Sequence, residues 1–154
     1  MLEASKTILE VESIPRVNLA FMDNTHFEEI KMVKDLGELI TNYQDEGIES
    51  DDIQQDENEI TVRLVAWLQH TIEHFARENA LMQEVNFPAY QMHLQEHETA
   101  LNRIKRIIRL WQTNKDITLL SDFIFSFWPN WFNTHINSMD MMTARFAVMN
   151  GYRA

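Results

Sequence analysis

Apolar residues recur every three or four positions along four long segments of the chain, the spacing that places side chains on one face of an α-helix. The first stripe runs from Ile30 to Tyr43. Its helix is expected to begin where a short polar side chain can cap the free backbone N–H groups, and the candidates are Asp23, Asn24 and Thr25. The stripes predict helices over about residues 22–43, 58–84, 89–113 and 118–149.

Helix-breaking residues lie mostly between these segments. Asn-Phe-Pro at 86–88 separates the second segment from the third, and Asn-Lys-Asp at 114–116 separates the third from the fourth. Pro129 falls inside the fourth segment, so we expect a kink or break near residues 126–128, because proline lacks the N–H that a helix interior uses. The pattern predicts an all-α, up-down-up-down four-helix bundle.

Two further stretches carry no helical stripe. Residues 1–20 mix apolar with acidic side chains and contain Pro15, so we expect an N-terminal arm lying across a bundle formed by residues 21–150. Residues 44–59 are strongly acidic and are expected to form a solvated loop or an acidic extension of the second helix. They lack the ligand spacing of a calcium-binding loop. The whole chain, residues 1–154, is expected to be one domain.

Charge and composition narrow the possible partners. The formal net charge of −11 argues against nucleic acid or an anionic membrane surface. Because the chain has no cysteine, any bound metal must be held by nitrogen and oxygen. Acidic residues interrupt the apolar residues at the N-terminus, whereas a signal peptide has an uninterrupted apolar region. No apolar run approaches the roughly 20 residues that a membrane-spanning helix needs. We therefore expect a cytoplasmic protein.

Five of the six histidines and two carboxylates fall at positions where helices can bring them together. His74 and Glu78 are four residues apart on the second predicted helix, and a second pair, His93 and His97, has the same spacing on the third. Residues four apart share a helix face, so both pairs can face one space. Two carboxylates and five imidazoles suit two ions better than one. The predicted ligands are His26, His74, Glu78, His93, His97, His135 and Asp140.

The type of donor also indicates the chemistry. The Glu-x-x-His pairs of oxygen-activating di-iron bundles are absent. A histidine-rich site holds less negative charge and stabilises high oxidation states less, which favours binding dioxygen over cleaving it. The ligands by themselves suit several first-row metals.

The arrangement resembles that of the hemerythrin family, in its bacterial single-domain form. The resemblance covers residues 22–140 and lies in four stretches, which are Asp23 to His26, His74 to Glu78, His93 to His97, and Trp131 to Asp140. It implies two iron ions, one held by three of the histidines and one by two. The family binds dioxygen reversibly at the iron with fewer histidines, and so the resemblance implies storage, delivery or sensing of oxygen and not an enzyme.

The resemblance also assigns individual roles. His93, His97 and His135 would hold the first iron and His26 and His74 the second, while Glu78 and Asp140 would bridge them with an oxo or hydroxo group. The positions that line the family's oxygen pocket are Phe75, Trp131, Phe132 and Ile136 here. This bulky apolar lining is expected to limit the entry of water and protons, and so to slow the loss of bound oxygen as peroxide.

Four residues near these motifs have less certain roles. Asn79 and Thr143 replace an acidic and an aromatic residue common in the family; we expect no consequence from the first and looser packing from the second. Glu29 is expected on a solvated face, with the pocket edge as the alternative. His70 is expected to be partly buried and hydrogen-bonded across helices, with a role as second-layer donor or substitute ligand as the alternative.

Two other functions fit the same sequence. One is a di-iron redox enzyme acting on peroxide or nitric oxide, with Glu29 or His70 supplying protons. The other is an iron-handling or regulatory module.

The spacing of the last two ligands predicts a local departure from the α-helix. His135 and Asp140 are five residues apart, which places them about 140° apart around a regular helix. Both can reach one centre only if the helix widens between them, and we therefore expect a π-bulge there.

Overall fold

The computed structural model describes residues 14–47 and 52–152, and in these ranges the chain forms helices and no strands. The first three helices span Ala20–Glu46, Ile53–Glu84 and Tyr90–Asn114. A fourth helix occupies residues 117–149 as consecutive α-helical and π-helical stretches. The first helix packs on the second, the second on the third, and the fourth contacts the other three. The predicted all-α four-helix bundle is confirmed.

The first helix begins earlier than predicted, and Asp23 is not its cap. The residue before the helix is Leu19, whose side chain makes no capping hydrogen bond. The Asp23 carboxylate instead accepts hydrogen bonds from the backbone N–H groups of Val17, at 2.8 Å, and Asn18, at 3.2 Å. Its side chain thus fixes the segment that precedes the helix.

The part of the predicted N-terminal arm that the structure describes lies on the bundle. Ile14, Val17 and Leu19 are each at most 6% exposed and belong to the main apolar core. Residues 1–13 of the arm lie outside the described residues.

The acidic stretch 44–59 extends two helices. The first helix runs to Glu46 and ends at Gly47, whose φ of 58° suits glycine, and the second begins at Ile53. Tyr43 Oη donates a hydrogen bond of 2.7 Å to Glu57 across the two helices. The second helix starts five residues before the predicted position because Gln and Glu are good helix formers even without an apolar stripe. Residues 48–51 lie outside the described residues.

The fourth helix contains two π-helical stretches. Its α-helical parts are Ile117–Asp122, Trp128–His135 and Met141–Met149, and its π-helical parts are Phe123–Phe127 and Ile136–Asp140. The expected break near Pro129 is therefore a widened turn and not the end of the helix. The second π stretch lies between the two candidate ligands of the fourth helix, and this confirms the predicted bulge.

A continuous apolar core holds the helices together. Trp67, Trp111, Leu36, Leu64 and Ile104 are each at most 1% exposed. The indole N–H of Trp111 donates a hydrogen bond of 3.0 Å to Thr61. Across the described ranges, no helix combines the length and the apolar character that crossing a membrane requires.

Candidate metal centre

All seven predicted ligand side chains point into the bundle. Each is at most 2% exposed, and every helix contributes at least one of them. On the second helix His74 and Glu78 lie one turn apart, and the distance from His74 Nε2 to Glu78 Oε2 is 2.9 Å. Ionisable side chains are rarely buried so completely unless they are paired or hold a metal. Their common burial makes this cluster the candidate functional site.

The ligand atoms form two groups, each compact enough to surround one ion. In each group the ligand atoms all lie within 4.8 Å of one another. The larger group takes Glu78, His93, His97, His135 and Asp140, and the smaller takes His26, His74 and Glu78. The two groups share Glu78.

Each of the two carboxylates turns one oxygen toward each group. Glu78 Oε2 lies 2.9 Å from the Nε2 of His74, and Glu78 Oε1 lies 3.2 Å from the Nε2 of His97. Asp140 Oδ2 lies 2.9 Å from the Nε2 of His26, and Asp140 Oδ1 lies 3.1 Å from the Nε2 of His135. This placement would allow each carboxylate to bridge two metal ions.

Several buried atoms of the cluster have no properly oriented hydrogen-bond partner in the described part of the chain. They are the Nε2 atoms of His26 and His97, Oε1 of Glu78 and both carboxylate oxygens of Asp140. Buried polar atoms are nearly always paired, so an unpaired set converging on one space needs an explanation. Nitrogen and oxygen donors of this kind fit first-row metal ions.

The comparisons with known proteins agree with this geometry. The chain is 28% identical over 138 residues to a bacteriohemerythrin of Aquifex aeolicus, covering 90% of this chain and 96% of that protein. It is 33% identical over 88 residues to a bacteriohemerythrin of Ralstonia nicotianae, covering 57% of this chain and 63% of that protein. These similarities support assignment of the chain to the hemerythrin family. No family model and no solved structure matches the chain.

Side chains outside the cluster orient four of the five histidines. The Nδ1 atom of His74 lies 3.3 Å from an acceptor oxygen of Glu29, and that of His93 lies 2.8 Å from the hydroxyl oxygen of Thr143. The Nδ1 atoms of His97 and His135 each lie 2.8 Å from an acceptor oxygen, of Asn79 and of Glu96 respectively. An acceptor on the outer side places the ring proton on Nδ1 and leaves the Nε2 lone pair facing the cluster. His26 Nδ1 has no such partner among the described residues.

Two of these partners correct the sequence-based expectations. Asn79, expected to be an inconsequential surface substitution, accepts the hydrogen bond of His97. Thr143, expected to loosen packing, is fully buried and lies within hydrogen-bond distance of His93. The sequence pattern assigned no role to Glu96. The signal that could have found it is its position beside His97, which puts it near the fourth helix.

The Thr143 hydrogen bond yields a prediction. Thr143→Val keeps the shape of the side chain but leaves a buried N–H of His93 without an acceptor. We expect the metal-free protein to lose about 1–3 kcal/mol of unfolding free energy. Metal affinity should fall about 10- to 100-fold, as measured by chelator competition. Thr134→Val, at an exposed position of the same helix, is the control. Equal metal affinity in the Thr143 variant and the wild type would contradict the assigned role.

Glu29 is the largest correction, because it is fully buried and not on a solvated face. Its Oε2 accepts hydrogen bonds from Trp67 Nε1 at 2.5 Å and Thr71 Oγ1 at 2.7 Å. Its Oε1 lies 2.9 Å from His70 Nδ1 and 3.3 Å from His74 Nδ1. His70 is partly buried and bonds across helices, as predicted. Glu29 therefore connects a candidate ligand to a histidine at the surface.

The charges of the metal-free cluster balance one another. Burial opposes ionisation, but the neighbouring histidines hold the pKa values of Glu78 and Asp140 well below their ordinary range. Although burial lowers it, the pKa of His74 rises to about 10 because Glu78 and Glu29 lie beside it. The pKa of His135 likewise rises to about 10 beside Asp140. Metal binding at these two histidines would therefore have to displace protons.

Aromatic rings cover the candidate ligands. Phe75 stacks on His97 with ring centroids 4.0 Å apart, and Phe132 meets His26 edge-on at 5.6 Å. Trp131 stacks on His135 at 4.6 Å but remains partly exposed. Ile136, the fourth predicted pocket residue, is fully buried. Three of the four predicted pocket residues thus contact ligand rings.

Proposed function

We propose that residues 1–154 form one domain that holds two iron ions and binds dioxygen reversibly, for storage, delivery or sensing and not as an enzyme. The observation that carries this proposal is the placement of Glu78 and Asp140, each with one oxygen toward each histidine group. Similarity to two bacteriohemerythrins supports iron as the metal. Cytoplasmic location remains a prediction from the sequence.

The proposed ligand sets are unequal. Three histidines and two carboxylates would hold one ion, whereas His26 and His74 with the same two carboxylates would hold the other. The ion with fewer protein donors would keep room for an external ligand. When bound, the two irons supply the electrons that dioxygen binding requires.

The surrounding side chains would control what reaches that position. Phe75, Phe132 and Ile136 are each at most 1% exposed and present no hydrogen-bonding group. They therefore exclude water and limit proton delivery, which favours release of the ligand as dioxygen over its loss as peroxide. The outer hydrogen bonds hold the imidazoles in the orientation that metal binding needs.

A redox enzyme acting on peroxide or nitric oxide is the second candidate, and Glu29 is the observation that favours it. Its carboxylate contacts the candidate ligand His74 and also His70, whose side chain is 20% exposed. A hydrogen-bonded connection between the surface and a ligand is what proton-coupled turnover would need.

Metal content and the visible spectrum test both candidates. We expect two irons per chain and an absorption band that appears on exposure of the reduced protein to air and disappears on deoxygenation, over repeated cycles. Irreversible oxidation in the first cycle would favour the redox enzyme. A protein that takes up no iron would refute the site.

Two histidines one turn apart on the second helix provide the matched comparison. His74→Ala should lose iron because His74 is a proposed ligand. His70→Ala should keep both ions because its ring faces Glu28 and Glu29 and not the cluster. Equal iron content in the two variants would refute the proposed ligand set.

A further inference from the structure

An open groove of about 1130 Å³ lies between the third and fourth helices, on the outer side of the bundle. The third helix lines it with Arg103 and Arg106, and the fourth lines it with Phe123, Phe127 and Trp131. The three aromatic residues follow one another at four-residue intervals and are only partly buried. Of the groove residues, only Trp131 belongs to the predicted oxygen pocket.

The groove forms a positively charged surface patch on an acidic protein. Residues 99–115 contain five basic residues and no acidic one, although the chain carries a net charge of −11. Among the described residues Arg103 and Arg106 form no salt bridge, and the Arg103 guanidinium lies 4.8 Å over the Phe127 ring. The one carboxylate in the lining is Asp122. Two guanidinium groups beside exposed aromatic rings suit an acidic partner.

Trp131 joins this groove to the candidate metal centre. Its ring stacks on His135 with centroids 4.6 Å apart and an interplanar angle of 13°. His135 Nε2 in turn lies 3.1 Å from Asp140. The other three tryptophans of the chain are at most 2% exposed. Trp131 is thus a partly exposed aromatic ring in direct contact with a proposed iron ligand.

We propose that a small acidic electron-transfer protein docks in the groove and reduces the metal centre through Trp131. This proposal rests on the proposed di-iron function. Each encounter passes one electron to the centre, and two carriers are oxidised for each pair of ferric ions that becomes ferrous. Electron-transfer complexes of this kind are small and transient, and depend on charge for their association rate.

A second copy of this chain is a poorer occupant of the groove. A two-fold dimer places the same patch of both subunits against each other, which would bring the arginines of one copy against those of the other. An acidic carrier meets the same arginines with opposite charge.

Rapid-mixing kinetics test the docking site. The oxidised, iron-loaded protein is mixed with a reduced plant-type two-iron ferredoxin, which is acidic and strongly reducing. The double variant with Arg103→Glu and Arg106→Glu should lower the second-order rate constant for reduction by ferredoxin at least about tenfold. It should also remove most of the dependence of this rate constant on salt. Arg63→Glu with Arg145→Glu changes the net charge equally at exposed positions elsewhere and should have a much smaller effect. Equal effects of the two double variants would refute the docking site.

Dithionite separates docking from changes at the iron. Its reaction needs no docking surface, so both double variants should be reduced by it at the wild-type rate. Because Trp131 also stacks on the candidate ligand His135, its role is read from the ratio of the two rates: Trp131→Leu should slow reduction by ferredoxin by a larger factor than reduction by dithionite. An equal fall in both rates would mean that Trp131 acts through the metal centre itself, and would overturn the proposed route.

A measurement on the metal-free protein keeps the two proposals distinguishable. Binding of oxidised ferredoxin to the metal-free wild type, followed by NMR chemical shifts, should affect the third and fourth helices around the groove and weaken with salt. The groove double variant should lose this binding. If the chain binds no iron yet still binds ferredoxin here, the proposed function fails and the docking surface stands; binding elsewhere or not at all overturns the docking surface.

Discussion

Asp140→Ala is expected to reduce the metal content from two ions per chain to fewer than one. Asp140 lies at the junction of the two groups, with Oδ1 3.1 Å from the Nε2 atoms of His93 and His135 and Oδ2 2.9 Å from that of His26. Removing the side chain takes one oxygen and half of a shared negative charge from each proposed ion. The measurement is iron content after dialysis against a chelator.

Asp122→Ala is the control for this variant, because Asp122 is an exposed aspartate of the same helix. It should retain the wild-type iron content. Loss of a single ion in Asp140→Ala would mean that Asp140 is a terminal ligand of one ion. Retention of both ions would show that Glu78 alone is sufficient as a bridge.

The metal-free protein should be most stable near neutral pH and lose stability in acid. Burial alone would raise the pKa of Glu29, but hydrogen bonds from His70, His74 and Thr71 lower it from 4.5 to about 2. A lowered folded-state pKa stabilises the protein above pH 4.5, and that contribution disappears as the pH falls toward 2. The loss is about 3 kcal/mol at 1.36 kcal/mol per pKa unit. Burial also lowers the pKa of His97 to about 4, and this adds a further loss of stability as the pH falls from 6.5 to 4.

The loss of stability at alkaline pH comes from groups whose pKa is raised in the folded protein, not lowered. The pKa values of His74 and His135 rise to about 10 in the folded protein, against 6.5 for the free imidazole. A raised folded-state pKa stabilises the protein fully below pH 6.5, and this contribution is lost as the pH rises toward 10. Urea unfolding of the metal-free protein between pH 3 and 10 should therefore give a maximum near pH 6.5. Rising stability from pH 7 to 10 would contradict the assigned ion pairs.

The metal-loaded protein provides the control for the alkaline loss. Metal ligation requires neutral imidazoles, so bound ions hold His74 and His135 without the Nε2 proton. Raising the pH then removes no proton from these rings. The alkaline decline should be much smaller in the loaded protein than in the metal-free one.

The helical pattern predicted the fold because it depends on local periodicity. Apolar stripes gave four helices whose boundaries agree with the structure to within about five residues, and the largest errors fall in polar stretches. The second helix begins at Ile53 because glutamine and glutamate form helix even without an apolar stripe. The π-helix at Ile136–Asp140 was predictable as well, because five residues between two candidate ligands do not fit an α-helix.

The roles of the side chains behind the candidate ligands were not predictable in the same way. Glu29, Asn79, Glu96 and Thr143 each contact a histidine on another helix, 39 or more residues away in three of the four cases. Helical periodicity states which face a residue occupies, but not which side chain of a neighbouring helix it meets. The expectation of a solvated Glu29 was wrong for this reason.

The sequence by itself determined the bundle, the seven candidate ligands and the need for a widened turn, since each follows from spacing along one helix. Tertiary structure decided which oxygen of Glu78 and Asp140 faces which histidine group, which side chains orient the imidazoles, and that Trp131 connects the centre to a basic groove. These features depend on the rotation and depth of one helix against another. Packing of the whole core fixes that rotation, and no local pattern encodes it.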